Sequence, residues 1–199
     1  MWYRDSDADS YGDASVTRAQ CEKPTGYVDD DNDCNDATSS AAPGKTESCD
    51  GIDNDCDGSE DEQNASGCDA YYKDDDADGY GEEGSSSRCY CEPTGDYTAA
   101  NNDDCYDTNA NANPAATAYY TVDRGDNSYD YNCDGSESKR YTSNYTCTGA
   151  VYVCIDSTAG WGTSTDPNCG STANWRSGCS ATLTSCSYSS TSNRTQSCR

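Results

Sequence analysis

Hydrophobic positions along this chain are few, and their spacing predicts no long helix. The first 139 residues show no apolar periodicity of about 3.6 residues, which an amphipathic helix requires. Tyrosine and β-branched residues predict short strands at residues 2–3, 71–73 and 119–122, and the strongest strand pattern covers residues 150–155. Gly, Asn and Asp dominate elsewhere and indicate turns and loops. The pattern therefore predicts a small, mostly irregular or β fold with little helix.

Composition excludes a conventional hydrophobic core. The 199 residues include only eight Leu, Ile and Val side chains, no Phe and no His, but 15 cysteines and 17 tyrosines. So few aliphatic side chains cannot offset the conformational entropy lost on folding. A membrane-spanning helix, a Ser-His-Asp triad and a zinc–histidine site are excluded as well. Disulfides and bound cations are therefore the two candidates for stabilising this chain.

Charge divides the chain into two parts. Residues 1–139 carry 35 acidic and 8 basic side chains, whereas residues 140–199 carry two acidic side chains and four arginines. The net charge changes from −27 to +2 where Asp, Asn and Gly give way to Ser, Thr and Cys, and this change predicts a domain boundary. A net charge of −27 also makes nucleic acid and anionic membranes poor partners, because binding phosphate needs basic patches.

The acidic part contains an internal repeat, because five blocks recur in the same order in residues 2–64 and 71–141. The paired blocks are WYRDSDADSYGD and YYKDDDADGYGE, EKPTGY and CEPTGDY, DCND and DCYD, AAPG and ANPA, and DNDCDGSED and DYNCDGSES. We therefore predict a first repeat at residues 1–66, a second repeat at residues 67–141, and a Ser/Thr/Cys-rich, disulfide-linked β module at residues 142–199.

Four loops in the repeats place oxygen-bearing side chains at alternate positions before a small residue. This is the first half of an EF-hand-type loop, in which positions 1, 3, 5, 7 and 9 supply ligands and position 6 makes a sharp turn. The loops that open the two repeats are the first loop, Asp5/Asp7/Asp9, and the second loop, Asp74/Asp76/Asp78; the later loop of each repeat is the third loop, Asp53/Asp55/Asp57, and the fourth loop, Asp130/Asn132/Asp134. In that order, position 7 is Tyr11, Tyr80, Ser59 and Ser136, and position 9 is Asp13, Glu82, Asp61 and Ser138. We predict that at least two of them bind a divalent cation.

All four loops lack the bidentate Glu that ends an EF-hand loop at position 12, so further ligands must come from elsewhere in each repeat. The best donors are Asp31, Asp33 and Asp36 in the first repeat and Asp103, Asp104 and Asp107 in the second. Hard oxygen ligands in flexible number favour several Ca²⁺ ions over Mg²⁺ and over softer metals. The alternatives are a solvated acidic surface and a carboxylate pair for acid–base catalysis; no cleft is indicated, and an enzyme is not expected.

The repeat resembles a known family. The blocks WYRDSDADSYGD, CEKPTGY, DCNDATSSAAPG and CDGIDNDCDGSEDE closely resemble the MopE-type metal-binding repeat of bacterial surface and secreted proteins. The resemblance covers residues 2–64 well and residues 71–138 with more differences. It implies a secreted or cell-surface protein whose modules are disulfide-linked and hold calcium. Copper would be expected to use His and a modified Trp, but the chain has no His, and Trp2 is the only Trp of the repeats.

The cysteine count predicts disulfides and one odd thiol, since nine cysteines lie in the acidic part and six in the tail. Chain order and the repeat favour Cys21–Cys34, Cys49–Cys56 and Cys91–Cys105. Asp126 stands where the second repeat would have its equivalent of Cys49, which leaves Cys133 without a partner. Cys68 and Cys89 could pair with each other or with Cys133, and the remaining thiol is free or bonded to another chain. The tail disulfides are predicted among Cys147, Cys154, Cys169, Cys179, Cys186 and Cys198.

The tail more weakly resembles a thrombospondin type 1 repeat. The matching residues are Trp175, Cys179, Ser180, Cys186, Arg194, Thr195 and Cys198, although the glycine expected after the second Cys is absent. In that family Trp and Arg side chains stack. The resemblance therefore implies stacking among Trp161, Trp175, Arg176 and Arg194. The alternative is a small disulfide-linked β module with incidental Trp.

Together these features predict an extracellular, calcium-binding structural protein that self-associates into a surface fibre, filament or layer. The dense cysteines indicate an oxidising compartment. N-glycans are predicted at Asn64, Asn144 and Asn193. The alternatives are an adhesion or ligand-binding module that acts through its tail, and a protein for acquiring copper or another metal.

Overall fold

The computed structural model describes residues 1–150, 153–156, 159–181 and 185–199, and in these residues it contains short strands, turns and no helix. The strands are β1 (Trp2–Arg4), β2 (Asp13–Arg18), β3 (Tyr27–Val28), β4 (Asp69–Lys73), β5 (Arg88–Tyr90), β6 (Tyr97–Ala99), β7 (Cys147–Ala150), β8 (Val153–Asp156), β9 (Gly160–Trp161), β10 (Thr172–Ala181) and β11 (Cys186–Thr195). The predicted fold class, mostly irregular or β and disulfide-rich, is confirmed. The described residues include no helix that is long and apolar enough to span a membrane.

Both repeats open with the same three-stranded sheet, which confirms the internal repeat. The first strand of each repeat is the central one, so the sheet orders are β2-β1-β3 and β5-β4-β6. All pairs are antiparallel, with Tyr3 opposite Val28 in the first sheet and Tyr72 opposite Ala99 in the second. The predicted strands at residues 2–3 and 71–73 lie in β1 and β4.

Contacts divide the chain into two compact units. One unit comprises Met1–Lys73 and Ser85–Asn101, and it contains both of these sheets. The other comprises Asp74–Gly84 and Asn102–Arg199, and it contains the β7-β8 hairpin and the sheet β11-β10-β9. These units are not the three segments expected from the repeat, whose boundaries stay a prediction.

Small and aromatic side chains take the place of an aliphatic core. The buried apolar residues of the first unit are Val28, Ala41, Ala42, Ala65 and Ala99. Those of the second, among the described residues, are Ala112, Tyr131, Tyr145, Trp161 and Cys198. Ala41 and Ala112 are fully buried at equivalent positions of the two repeats, so each repeat packs tightly around a methyl group.

The strand predicted at residues 150–155 is wrong as a continuous element. Cys147–Ala150 and Val153–Asp156 are separate antiparallel strands, with Ala150 opposite Val153, so the chain reverses within the predicted strand. Val151 and Tyr152 lie outside the described residues. The strand predicted at residues 119–122 is also wrong, because only Tyr120 forms a bridge, to Cys198, before a turn closed by Arg124 N–H and Ser128 C=O.

All 15 cysteines are described, and 14 of them form disulfides. The pairs are Cys34–Cys56, Cys49–Cys91, Cys68–Cys89, Cys105–Cys133, Cys147–Cys179, Cys154–Cys186 and Cys169–Cys198. The remaining cysteine, Cys21, is free and exposed. The predicted presence of disulfides in the tail is confirmed, as is the Cys68–Cys89 alternative.

Three predicted pairings, Cys21–Cys34, Cys49–Cys56 and Cys91–Cys105, are wrong, and so is the expectation that Cys133 lacks a partner. Cys34–Cys56 and Cys105–Cys133 are equivalent bonds. The first ties the segment that carries Asp33 to the third loop, and the second ties the segment that carries Asp104 to the fourth loop. In each case the first sulfur lies beside the first carbonyl of that loop, with Cys34 Sγ 3.4 Å from Asp53 O and Cys105 Sγ 3.8 Å from Asp130 O. The fold therefore pairs these cysteines with partners farther along the chain than the ones that chain order predicts.

Aromatic rings and arginines stack in the tail. The Arg194 guanidinium lies 4.2 Å from the Trp175 ring centre and 4.7 Å from that of Tyr141. Trp161 is fully buried, and its ring meets Trp175 edge-on at 5.2 Å. Arg176 stacks on Tyr188 at 3.8 Å instead of joining the Trp ladder. The thrombospondin-like character of the tail stays a prediction.

Candidate metal sites

The first carboxylate loop turns its acidic side chains inward. Asp5, Asp7 and Asp9 are half-buried, whereas the residues between them are exposed. Ala8 and Ser10 have positive φ angles of 68° and 87°, which curl the backbone around the carboxylates. Backbone N–H groups hold the carboxylates in place, since Ala8 donates to Asp5 Oδ1 at 2.8 Å and Tyr11 donates to Asp9 Oδ1 at 2.9 Å.

Two aspartates from later in the first repeat join this loop. One carboxylate oxygen each from Asp7, Asp9 and Asp33 lie within 4.8 Å of one another, and the same is true of Asp5, Asp7 and Asp36. The Asp36 carboxylate accepts hydrogen bonds from the Ser6 N–H and hydroxyl groups. The structure therefore brings Asp33 and Asp36 together with the loop, as the spacing argument expected.

The close approach depends on Gly12, whose carbonyl accepts a hydrogen bond from the Asp33 N–H. A Cβ atom at Gly12 would lie 2.8 Å from Tyr3 Cβ and 2.9 Å from Val28 Cγ2, which is closer than such atoms approach. Glycine is therefore needed for the loop to reach the segment that carries Asp33.

Several carboxylate oxygens in this cluster are buried without a hydrogen bond from any described residue. They are the Oδ2 atoms of Asp7, Asp9 and Asp33. Burial raises the pKa of Asp7 and of Asp33, and repulsion from neighbouring carboxylates adds to the rise. Carboxylates gathered in this way repel one another, and a divalent cation between them would replace that repulsion with attraction.

The second repeat builds an equivalent cluster that is more deeply buried. Asp74 is buried and Asp76 and Asp78 are half-buried, and they are joined by Asp104 and Asp107, which are 1% and 8% exposed. Asp104 Oδ1 accepts a hydrogen bond from the Tyr106 N–H at 2.7 Å, and Asp107 Oδ1 accepts one from the Asp75 N–H at 2.8 Å. The Oδ2 atoms of Asp104 and Asp107 and both carboxylate oxygens of Asp76 are buried without a partner among the described residues.

Burial is the main cause that raises the pKa of Asp104 to about 6 and the pKa of Asp107 to about 6. Repulsion from Asp76 raises both pKa values further, and Asp78 contributes to that of Asp104. Asp33 and Asp104 are equivalent residues that use one oxygen in the same backbone hydrogen bond and leave the other unpaired. The two repeats therefore carry the same composite cluster.

Two acidic residues that flank the third loop, Glu47 and Glu62, were not predicted from the spacing. One carboxylate oxygen each from Glu47, Asp53 and Asp55 lie within 4.8 Å of one another. Both carboxylate oxygens of Glu62 are buried and accept no hydrogen bond from a described residue. Glu47 comes before the loop and Glu62 after position 9, so an EF-hand template does not point to either residue. The only sequence signal was the run of acidic residues in the first repeat, SEDE, which ends at Glu62.

The fourth loop has the same backbone but fewer acidic neighbours. Asp130 accepts hydrogen bonds from the N–H groups of Asp134 and Gly135 at 3.2 and 2.9 Å, as Asp53 does from Asp57 and Gly58. The Asn132 amide donates to Asp134 Oδ2 at 2.6 Å, which satisfies that oxygen inside the loop.

The other predicted ligands lie outside these clusters or contribute only backbone groups to the described contacts. Asp13 is held by Ser15 and Arg4, and Asp61 by the N–H groups of Asp50 and Gly51. Asp31 lies near the Tyr3 hydroxyl and raises its pKa. Ser59, Glu82, Asp103 and Ser136 are exposed, and Tyr11, Tyr80 and Ser138 are half-buried. Metal binding by these residues stays a prediction.

Asn64, Asn144 and Asn193 are exposed, and their glycosylation also stays a prediction.

The donors available in these clusters are oxygen atoms. Two groups with metal-like spacing, Asp104/Cys105/Cys133 and Cys154/Cys179/Cys186, contain cysteines, but all of those cysteines are in disulfides and offer no thiolate. The single thioether belongs to the exposed Met1, and the chain has no His. Such donors suit a hard divalent cation.

Comparison with known families supports a metal-binding role. The family model Cu-binding MopE, described as "Putative metal-binding motif", matches residues 33–62 and 104–138. The two matches confirm the resemblance in two copies and together cover about a third of the chain. They begin at the equivalent residues Asp33 and Asp104 and include the third and fourth loops. Searches of curated proteins and of solved structures each found no significant match.

Proposed function

We propose that this protein is a calcium-binding, disulfide-rich structural protein of an extracellular assembly. The observation that carries the proposal is the pair of buried, unpaired Oδ2 atoms of Asp33 and Asp104, at equivalent positions in two composite clusters. A buried anion without a partner is costly, and a cation bound between the carboxylates of each cluster would remove that cost.

Calcium is the metal that the donors favour. Ca²⁺ takes about six to eight oxygen ligands in irregular geometry, and each composite cluster offers five aspartates, whose carboxylates can bind through one oxygen or two. Mg²⁺ requires a near-octahedral arrangement and keeps its waters. Copper sites favour nitrogen or sulfur donors, which the clusters do not offer.

In this proposal calcium is part of the folded structure. The clusters join residues that are about 25 to 30 positions apart, so an ion in each would cross-link a repeat that has hardly any aliphatic core. Binding only to the folded state stabilises it by mass action. The protein would therefore be rigid and protease-resistant with calcium, and the repeats would expand without it.

Seven disulfides support an oxidising, extracellular setting for this function. Self-association is supported by Cys21, an exposed free thiol in a chain whose other cysteines are all paired, because an odd cysteine can bond to a second chain. We propose assembly into a fibre or surface layer, with no catalytic role.

The test counts calcium ions bound to the intact protein by equilibrium dialysis and native mass spectrometry. Asp104→Asn preserves the side-chain shape and the hydrogen bond from Tyr106 but removes the charge. It should lose one ion, or lower the affinity of one site at least about tenfold. Asp96→Asn, at an exposed aspartate of the second repeat outside the cluster, is the matched control and should bind like wild type. Equal binding by the two variants would contradict the calcium site.

The assembly is tested separately by electron microscopy of the protein with calcium and with excess chelator. Ordered fibres or layers in calcium that dissolve in chelator are the expected result. Monomers under both conditions would contradict a structural role while leaving the ion count intact.

A further inference from the structure

We propose that the fourth loop, residues 130–135, holds no divalent ion because the guanidinium of Arg124 supplies the positive charge there instead. This inference rests on the proposed function, in which the equivalent third loop binds calcium. It divides the four loops, which look alike in sequence, into loops that depend on an ion and one that does not.

The two loops can be compared residue by residue because their backbones match. Asp53 and Asp130 accept the same pair of N–H groups, from the fifth and sixth loop residues. Extending this register to the flanking residues places Arg124 at the position of Glu47 and Lys139 at the position of Glu62. The two acidic residues that the third loop adds are thus both replaced by basic residues.

Glu47 contributes a negative charge to the third loop. One of its carboxylate oxygens lies within 4.8 Å of oxygens from Asp53 and Asp55. The same carboxylate accepts hydrogen bonds from the N–H groups of Asn54 and Asp61 at 3.0 and 3.2 Å. It is therefore fixed next to the loop with its charge directed at the other carboxylates.

Arg124 brings a positive charge to the matching place in the fourth loop. Its Nη1 donates to the backbone carbonyl of Asp130 at 2.7 Å, and its side chain is 11% exposed. Nε and Nη2 pair with the Asp126 carboxylate at 3.1 and 2.9 Å. Asp126 stands where the first repeat has Cys49, so an ion pair replaces both a glutamate and a disulfide cysteine at this site.

Formal charge separates the loops clearly. Glu47, Asp53, Asp55, Asp57 and Glu62 carry −5, whereas the equivalent residues Arg124, Asp130, Asn132, Asp134 and Lys139 sum to zero. Asp126, which pairs with Arg124 and replaces the uncharged Cys49, brings the second set to −1. A divalent ion is strongly attracted to the first set and gains little from the second. Arginine stays protonated at all ordinary pH values, so this internal cation cannot be removed by a chelator.

The test counts bound Ca²⁺ in two variants at the same loop position, Asp57→Asn and Asp134→Asn. We expect Asp57→Asn to lose one ion and Asp134→Asn to lose none. Loss of one ion by Asp134→Asn would overturn the inference. Arg124→Glu, which restores the charge of Glu47, should gain one ion; no gain in a variant with wild-type circular dichroism would also count against it.

A second measurement separates this inference from the proposed function. If neither wild type nor Asp57→Asn binds calcium, the proposed function fails at the third loop, and Arg124 is then judged in chelator alone. Arg124→Gln should lower the unfolding midpoint there by several degrees. Arg88→Gln, which removes an exposed arginine stacked on Tyr97, is the control and should change it little. A midpoint equal to wild type for Arg124→Gln would overturn the inference.

Discussion

The acidic repeats and the C-terminal tail both have few aliphatic side chains, with four in each, but they compensate differently. The repeats gather buried carboxylates around shared centres, as with Asp104 and Asp107. The tail places paired ten-residue strands under three disulfides and stacks Arg194 on Trp175 and Tyr141. Both regions contain disulfides, four in the repeats and three in the tail. They differ in their charged groups, because the proposed function gives the repeats an external ion, whereas the arginines of the tail are part of the chain. If the proposed function is correct, the tail should therefore stay folded under conditions that unfold the repeats.

Removing calcium should have the largest effect and should distinguish the repeats from the tail most clearly. Each occupied site contributes about 3 to 4 kcal/mol when free calcium exceeds its dissociation constant 100- to 1,000-fold. In excess chelator we expect amides of β1 and β4 to lose protection from hydrogen exchange while those of β10 and β11 keep it. Equal loss in both regions would show that the tail depends on the ions as well.

Removing one disulfide from each region should have the next largest effect. Cys105–Cys133 and Cys147–Cys179 close loops of similar length, with separations of 28 and 32 residues, so chain entropy predicts similar losses of about 2 to 4 kcal/mol. We expect Cys105→Ala/Cys133→Ala also to weaken calcium binding, because Cys105 adjoins Asp104. Cys147→Ala/Cys179→Ala should leave calcium affinity unchanged, as measured by calorimetric titration. Equal affinities in both double variants would contradict the link between this bond and the site.

Acidification of the metal-free protein should have a smaller effect of unusual sign. Because the pKa of Asp104 and of Asp107 is raised to about 6, the folded state binds more protons than the unfolded state below that pH. In chelator, the unfolding midpoint should therefore rise as pH falls from 7 towards 5. With calcium bound it should fall, because protons compete for the same oxygens. A midpoint that falls on acidification in both conditions would contradict the clustered geometry.

The stacked arginine of the tail should contribute least. Arg194→Gln removes contacts with Trp175 and Tyr141 and should cost about 1 to 2 kcal/mol with or without calcium. Arg18→Gln, which removes an exposed arginine 4.9 Å from the Tyr27 ring centre, is the control and should cost about 0.5 kcal/mol or less. Denaturant unfolding followed by Trp fluorescence measures both. A calcium-dependent loss for Arg194→Gln would contradict the internal stabilisation of the tail.

The carboxylate loops and their partners could be anticipated because turn chemistry is local. Alternating aspartates before a small residue specify a tight loop, and the missing last ligand pointed to Asp33, Asp36, Asp104 and Asp107, which the structure brings to the loops. The repeat then fixed the equivalence of the two clusters. Their metal occupancy stays a prediction.

Disulfide pairing and charge replacement depended on the folded chain and were not anticipated. Cys34 pairs with Cys56 because the segment that carries Asp33 folds back on the third loop. The order of the cysteines along the chain does not predict that contact. The reversal between Ala150 and Val153 was also invisible, because residues 150–155 read as one apolar strand. The repeat register alone matches Arg124 to Glu47, but only the contact with Asp130 shows that the guanidinium lies at the fourth loop.

In both repeats a clustered aspartate immediately precedes a disulfide cysteine, Asp33 before Cys34 and Asp104 before Cys105. Adjacent residues share one peptide unit, so fixing either side chain restricts the other. If the disulfide raises the affinity for the ion, thermodynamic reciprocity requires that the bound ion favours formation of the disulfide by the same factor. Oxidative refolding of the reduced chain would thus be templated, with calcium raising the yield of correctly paired isomers and its absence scrambling them.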